Sequence, residues 1–161
     1  MNSAVYPGSF DPITLGHLNI IKRASKVFVK IYVCVLNNSA KKPLFTLEER
    51  LDFIKRSVKR FENVEVMYYD GLAVEFARER CAKVIVKGLR AVTDYDWEVQ
   101  MALANKKIHP DIDTLFFASS EKYAYLSSTV VKEMAKYNAD LSEFVPREVI
   151  NDIVQIIQNR R

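Results

Sequence analysis

The sequence predicts a single α/β domain over residues 1–161, built on a doubly wound, five-stranded parallel sheet in three α/β/α layers. Three observations favour this fold class. Five short β-branched runs alternate with segments of helical periodicity, as strands and crossover helices do in parallel sheets. The runs are mostly apolar throughout, which is typical of strands covered on both faces. The length of 161 residues suits one domain with a sizeable core.

The strand candidates share β-branched or aromatic content and short length. They are Ser3–Tyr6, Lys30–Leu36, Val64–Tyr69, Val84–Lys87 and Thr114–Ala118. We expect the common strand order 3-2-1-4-5, which reverses between strands 1 and 4. Ligands of doubly wound sheets bind at that reversal, beyond the carboxyl ends of the strands. A binding site is therefore expected in the loops after the first and fourth strands.

The helix candidates share apolar residues spaced three and four positions apart. They are the segment with the stripe Leu18, Ile21, Ala24 and Phe28, the segment with the stripe Leu47, Leu51, Ile54 and Val58, then Leu72–Arg80, Asp94–Lys107, Thr129–Tyr137, and a last helix bearing Val149, Ile150, Ile153, Ile156 and Ile157 on one face. Thr46 and Glu49 form a capping box that begins the second helix. Pro146 is expected to open the last one.

The composition narrows the function classes without deciding among them. A net charge of +4 and a pI near 9.0 suit a nucleic acid, a phosphate-rich small substrate or mere solubility. No apolar run approaches the length of a membrane span, and no charged-then-apolar leader opens the chain, so a membrane protein is not expected. Cys34 and Cys81 lack motif spacing and are expected to be buried or inert thiols, as fits a reducing cytoplasm.

The loop after the first strand, YPGSFDPITLGH, concentrates groups that suit a phosphate. Gly8 permits a backbone path closed to other residues, and Ser9 adds a hydroxyl and an amide. Gly16 and His17 enter the first turn of the next helix, so its N-terminal amides and an imidazole point to the same spot. The alternative is an ordinary tight turn in which His17 only caps the helix. The residues alone leave both interpretations open.

Three further loops at the same sheet edge carry phosphate-compatible groups. Lys87–Arg90 places two cations around a glycine, Asn38–Pro43 contains two lysines, and Tyr123–Thr129 ends in three hydroxyl side chains before a helix. Solvated basic loops and a simple N-cap are the alternatives. His109 has the pattern of a turn residue without a chemical partner.

Several catalytic patterns are absent from the sequence. It has no GxxxxGK[ST] loop, no Ser-His-Asp or Cys-His set, and no cluster with zinc-ligand spacing. The predicted site therefore holds phosphates without a covalent nucleophile or a tightly bound metal.

The motifs GSFDPITLGH, KKPLFTLEER, KGLRAVTDYDWE and SSTVVKE occur in the order and spacing of the bacterial phosphopantetheine adenylyltransferases. The resemblance runs from Ala4 to about Pro146, and Thr14 in the T-x-G-H motif is typical of this family within its nucleotidyltransferase superfamily. It implies a Rossmann-like, Mg²⁺-dependent, homohexameric cytoplasmic enzyme of coenzyme A biosynthesis, without a nucleic-acid or membrane partner. Such a transferase moves AMP from ATP to 4′-phosphopantetheine by direct in-line attack, giving dephospho-coenzyme A and pyrophosphate.

The resemblance also implies roles for individual residues. His17 would bind the nucleotide phosphates and stabilise the transition state, Lys41 would orient the attacking phosphate, and Arg90 would hold the ATP phosphates. The implied ATP-binding residues are Ser9, Phe10, His17, Gly88, Leu89, Arg90, Glu98, Tyr123, Ala124, Tyr125, Leu126, Ser127, Ser128 and Thr129. The implied phosphopantetheine-binding residues are Ser9, Lys41, Leu72, Ala73 and Lys87. No residue is implied as a metal ligand.

Three positions depart from the family pattern. Lys87 stands where many members have arginine, which keeps the charge but loses the bidentate fork. Ser9 stands where some members have threonine, and Ala73 where some have a bulkier residue. Two other interpretations stay open: a nucleotidyltransferase that uses CTP or a nicotinamide mononucleotide acceptor, and a basic nucleotide- or RNA-binding module without catalysis.

Overall fold

The computed structural model describes residues 2–37, 42–90 and 92–160. Strands and helices alternate along these residues. The strands are β1 (Ser3–Gly8), β2 (Lys30–Leu36), β3 (Val64–Tyr69), β4 (Val84–Leu89) and β5 (Asp113–Ala118). The helices are α1 (Leu15–Ala24), α2 (Leu47–Val58), α3 (Ala73–Glu79), α4 (Val92–Ile108), α5 (Ser128–Lys136) and α6 (Ile150–Asn159), with 3₁₀ turns at Glu121–Tyr123 and Arg147–Val149.

The five strands form one sheet in the order β3-β2-β1-β4-β5, and all four neighbouring pairs are parallel. The predicted strand order 3-2-1-4-5 is confirmed. The order reverses between β1 and β4, because the chain winds outward from β1 to β3 and then crosses to β4 on the other side. The carboxyl ends of β1 and β4 therefore lie side by side at one edge of the sheet.

Both faces of the sheet are covered, because alternate residues of β1 point to opposite sides. Ala4 and Tyr6 join the larger core cluster, which contains buried residues of α1, α2, α5 and α6. Val5 faces the other cluster, where α3 contributes Val74 and Phe76. Apolar burial on both sides produces the predicted three layers.

Several element ends differ from the prediction. β1 continues for two residues beyond Tyr6, since Pro7 and Gly8 still pair with β2 despite being turn-forming residues. α1 ends at Ala24, and Phe28 is buried from the turn that follows the helix. Pro146 precedes a 3₁₀ turn and does not itself open α6, which begins at Ile150. Pairing with β2 overrides the local turn signal at Pro7 and Gly8, and the two helix ends differ from the prediction by a few residues.

His109 has a partner, contrary to the sequence-based expectation. It follows the end of α4, and its Nε2 lies 3.0 Å from Oε1 of Glu75 in α3. The two residues are 34 positions apart, so only the packing of these helices reveals the pair. Of the two cysteines, Cys34 is buried and Cys81 is exposed. No helix in the described part of the chain has the length and apolar content to cross a bilayer.

Candidate active site

A cleft of about 570 Å³ opens where β1 and β4 end, at the reversal of strand order. The loop after β1, the end of β4 with the first half of α4, and the start of α5 all contribute to its walls. Lys42 and Arg50 line it from the β2 side. The position agrees with the expectation for a doubly wound sheet, in which the loops beyond the carboxyl ends form the ligand site.

The structure brings most of the predicted site residues into this cleft. The predicted residues that line it are Ser9, Phe10, His17, Lys87, Gly88, Arg90, Glu98, Leu126, Ser127, Ser128 and Thr129. Those outside its lining are Leu72, Ala73, Leu89, Tyr123, Ala124 and Tyr125. Leu72 and Ala73 follow β3, two strands from β1 along the same sheet edge. Lys41 lies outside the described residues.

His17 both caps α1 and faces the cleft, so the two interpretations of this residue are compatible. Thr14 is the N-cap residue, and its hydroxyl accepts a hydrogen bond from the His17 backbone N–H at 3.2 Å. The Thr14 backbone N–H donates in return to Nδ1 of His17 at 3.1 Å. The result is a capping box in which histidine takes the place that Glu or Gln usually occupies.

The capping box decides the tautomer of His17. Because Nδ1 accepts a backbone N–H, the ring proton of the neutral imidazole is on Nε2. Burial, and secondarily the positive charge of Arg90, lower the pKa of His17 to about 4. The side chain is therefore neutral at pH 7. It offers the cleft a hydrogen-bond donor and no net charge.

Phe10 lines the cleft and packs under the loop after β1. Its side chain is only 1% exposed, and its ring packs edge-on to Tyr6 at 5.5 Å and to His17 at 5.0 Å. Its φ of 46° lies in the left-handed region, which turns the chain sharply after Ser9. A Cβ at Gly8 would lie 3.0 Å from this ring, so the close approach favours glycine there.

Arg90 joins two walls of the cleft. Its Nε and Nη2 donate to the carboxylate of Asp94, at 3.1 and 3.3 Å, in a bidentate pair across the start of α4. Its Nη1 donates to the carbonyl oxygen of Leu126 at 3.0 Å, just before α5. The guanidinium is thus fixed in position, although its charge is already shared with a carboxylate.

Lys87, near the end of β4, forms an ion pair with Glu98 in the first half of α4. Nζ of Lys87 lies 3.2 Å from Oε2 of Glu98, and both side chains are about one-quarter exposed. Among the described residues the buried Oε2 atom has no hydrogen-bond partner, so the contact with Lys87 is an ion pair without a well-formed hydrogen bond. Lys87 therefore neutralises Glu98 by proximity and does not satisfy it fully.

The start of α5 uses two of its three hydroxyl groups structurally. The side chain of Ser127 is the N-cap and accepts the backbone N–H of Val130 at 3.1 Å. The Ser128 hydroxyl donates to the carbonyl oxygen of Pro12 at 2.7 Å, which ties α5 to the loop after β1. The first-turn N–H groups of a helix have no intrahelical partner, so this end still offers donors to an anion.

Asp11 connects the loop after β1 to two other walls, and sequence reasoning missed it. Its Oδ1 accepts the backbone N–H groups of Leu44 and Phe45 at 3.0 and 2.9 Å, and its Oδ2 accepts Nζ of Lys132 at 2.7 Å. The carboxylate is only 9% exposed. It thus anchors the segment that follows Lys42 and holds α5 against the first loop. Nothing in the sequence pattern pairs Asp11 with a residue 121 positions away.

Arg50 was also missed, because a charged residue in an amphipathic helix is usually solvated. It is 6% exposed, and Nη1 donates to the carbonyl oxygen of Ser9 at 2.9 Å. Its Nε donates to the carbonyl oxygen of Thr46 at 3.3 Å. Helix α2 therefore supports the first loop directly.

No group of three or more His, Cys, Asp or Glu side chains that could hold a metal ion occurs within the described residues. The carboxylates that line the cleft belong to Asp11, Asp94 and Glu98, and each lies against a lysine or an arginine.

Comparison with known proteins gives consistent relatives. A model of the cytidylyltransferase-like family matches residues 5–134. Phosphopantetheine adenylyltransferase of Clostridium tetani is 53% identical over 160 residues, covering 99% of this chain and all of that protein. The Caldanaerobacter subterraneus enzyme of the same name is 51% identical over 155 residues, covering 96% of this chain and 97% of that protein. The fold is similar to a crystal structure from Vibrio parahaemolyticus, provisionally assigned as a nicotinate-nucleotide adenylyltransferase. The TM-score is 0.64 at 16% identity, covering 99% of this chain and 93% of that one.

Proposed function

The chain belongs to the phosphopantetheine adenylyltransferase family, and we propose from this premise that it transfers AMP from ATP to 4′-phosphopantetheine. The products are dephospho-coenzyme A and pyrophosphate, in the penultimate step of coenzyme A biosynthesis. The observation that supports this most strongly is the cleft at the strand reversal, where a neutral imidazole donor, a helix N-terminus and fixed cations meet. We further propose that residues 1–161 form one nucleotidyltransferase domain.

The chemical step needs orientation and charge stabilisation more than proton transfer. The acceptor phosphate is already ionised at neutral pH, so no general base has to create the nucleophile. A direct in-line displacement at the α-phosphorus breaks its bond to the bridging oxygen of pyrophosphate and forms one bond to the acceptor oxygen, with no covalent enzyme intermediate. Holding two polyanions in line can lower the barrier by about 7–11 kcal/mol.

His17 is suited to the negative charge that develops at the α-phosphate. Its Nε2–H is a donor whose orientation is fixed by the capping box, so it needs no rearrangement during the reaction. Loss of one such preorganised donor costs about 2.7–4 kcal/mol in comparable sites. Arg90 and the start of α5, from Ser127 to Thr129, would hold the β- and γ-phosphates, and Glu98 would face the nucleotide. Phe10, Gly88 and Leu126 would shape the same wall.

The acceptor phosphate would lie between the first loop and the end of β4. Ser9 and Lys87 line the cleft and would contact its phosphate, together with Lys41, a role we infer from the family alone. The pantetheine arm would run along the sheet edge towards Leu72 and Ala73, which follow β3. Leu89 and Tyr123–Tyr125 flank the cleft and would complete the nucleotide side.

Mg²⁺ would accompany the ATP phosphates and neutralise part of their charge. The cleft supplies no cluster of acids for it among the described side chains, and each lining carboxylate is engaged with a cation. We therefore propose phosphate and water ligands for the ion.

A homohexamer in the cytoplasm is proposed as the working form. Helix α4 exposes several large apolar side chains, spread around the helix, which are available to pack against neighbouring copies. They are Tyr95, Trp97, Leu103 and Ile108. Light scattering on the purified chain tests this state, and a monomeric mass would contradict it.

Pyrophosphate release from a panel of substrates tests the activity. We expect release with ATP plus 4′-phosphopantetheine, and little with CTP or with nicotinamide mononucleotide as the acceptor. Greater release with CTP or the mononucleotide would favour another nucleotidyltransferase of this fold. Salt-sensitive binding to RNA without any pyrophosphate release would favour a non-catalytic module.

A further inference from the structure

Most of the cations that line the cleft are already paired with carboxylates. Lys87 pairs with Glu98, Arg90 with Asp94, and Lys132 with Asp11. A substrate phosphate that binds one of these cations must compete with the carboxylate for it. The charge that such a pair offers to a ligand is therefore reduced.

Arg50 differs from these cations. It lines the cleft and is 6% exposed, yet no carboxylate lies within ion-pair distance of it in the described part of the chain. Its two hydrogen bonds go to the carbonyl oxygens of Ser9 and Thr46, from Nη1 and Nε. The remaining nitrogen, Nη2, has no acceptor among the described residues.

A buried guanidinium without a carboxylate is costly unless another anion approaches it. Two neutral carbonyl groups satisfy part of its hydrogen-bonding capacity and leave its charge uncompensated. The same contacts hold the planar group still, which suits it to a phosphate oxygen. Arg50 is therefore a preformed cationic site on the wall of the cleft.

The position of Arg50 favours the acceptor over the nucleotide. It belongs to α2, which follows β2, and it touches the loop after β1 at Ser9. Arg90 and the start of α5, where we place the ATP phosphates, lie beyond β1 on the β4 side. Lys42, in the segment just before α2, lines the cleft on the same side as Arg50.

We propose that Arg50 binds the phosphate monoester of the acceptor substrate through Nη2. This inference rests on the proposed function, because it takes 4′-phosphopantetheine as the acceptor. It adds to the site a cation that the sequence pattern does not single out.

The test compares two ligands that differ only in the phosphate. Dissociation constants of 4′-phosphopantetheine and of pantetheine are measured by NMR titration for the unchanged protein and for Arg50→Met. A charge-assisted hydrogen bond contributes about 1.5–3 kcal/mol, so affinity for 4′-phosphopantetheine should fall by about 10- to 150-fold. Affinity for pantetheine should stay within about twofold. Affinity for ATP should change little as well.

A matched control is available on the same helix. Arg56 is partly exposed and forms ion pairs with Asp52 and Asp152 away from the cleft, so Arg56→Met should leave both affinities unchanged. Arg50→Lys keeps the charge but loses the fork, and it should give an intermediate loss for the phosphorylated ligand only. If Arg50→Met fails to fold, as judged by circular dichroism, Arg50→Lys carries the same comparison.

An equal loss for pantetheine, or an equal loss for ATP, would overturn the proposal. Arg50 holds the Ser9 loop, which lines the whole cleft, so a purely structural role would weaken the binding of ATP as well as that of the acceptor. Unchanged affinity for 4′-phosphopantetheine would also overturn it. Failure of the proposed function would give a different result: the unchanged protein would release no pyrophosphate from ATP plus 4′-phosphopantetheine.

Discussion

Replacing His17 by alanine removes two contacts whose costs can be separated. The imidazole Nδ1 accepts the Thr14 backbone N–H in the capping box, and Nε2–H faces the cleft. Loss of Nδ1 leaves the Thr14 backbone N–H without its capping-box acceptor, which lowers the free energy of unfolding by about 1 kcal/mol. Loss of a preorganised donor to the transition state should lower kcat by about 100- to 1000-fold, or about 2.7–4 kcal/mol. KM values should rise much less, since the donor acts chiefly on charge that develops in the transition state.

A second variant separates the two contacts. His17→Glu restores an acceptor at the position that favours Glu or Gln in a capping box, but it offers no donor and carries a negative charge. It should recover most of the stability in urea denaturation while kcat stays at least as low as in His17→Ala. Steady-state pyrophosphate release at saturating ATP and acceptor measures kcat. A kcat for His17→Ala within about threefold of the unchanged protein would refute the role of His17.

Three further predictions follow from the contacts. In a ¹⁵N NMR titration, His17 should show the Nε2–H tautomer and a pKa of about 4. Because the unfolded side chain titrates near 6.5, the free energy of unfolding should fall by up to ~3 kcal/mol as pH drops from 6.5 towards 4. An NMR titration midpoint of His17 near 6.5 would contradict this. Asp11→Asn should lower the free energy of unfolding by about 1–3 kcal/mol in urea denaturation, and adding Lys132→Met should recover part of that loss. Strictly additive losses in the double variant would show that the two side chains are not coupled. Phe45→Ala should lower the free energy of unfolding by about 3–5 kcal/mol, since the ring is fully buried against Phe53. A loss below about 1 kcal/mol would refute that packing.

The sheet and the place of the cleft could be predicted from the sequence because their signals are local and repeated. Each strand, such as Lys30–Leu36, is an apolar run between polar segments, and the observed β2 has the predicted bounds. Once five strands alternate with helices, general rules of parallel sheets lead to the strand order and to its reversal. The loops at Gly8 and Gly88 then fall at one edge without any knowledge of tertiary contacts.

The side chains that hold the loops of the cleft in place could not be predicted in this way. Arg50 sits in an amphipathic helix like many solvated arginines, and only its contact with Ser9 shows that it is buried. Asp11 carries no local sign of its bond to Lys132. The sequence does not decide between capping and ligand binding for His17, whereas the imidazole has two nitrogens and can serve both. Side-chain direction and long-range packing decide such cases, and periodicity contains neither.

An isotope experiment tests the proposed adenylyl transfer most directly. 4′-Phosphopantetheine labelled with ¹⁸O in its three non-bridging phosphate oxygens is incubated with ATP, Mg²⁺ and the enzyme, and the products are weighed by mass spectrometry. Attack by the acceptor phosphate on the α-phosphorus predicts dephospho-coenzyme A that keeps all three labels, formed in equal amount with unlabelled pyrophosphate. Label in pyrophosphate, or pyrophosphate formed without dephospho-coenzyme A, would contradict it.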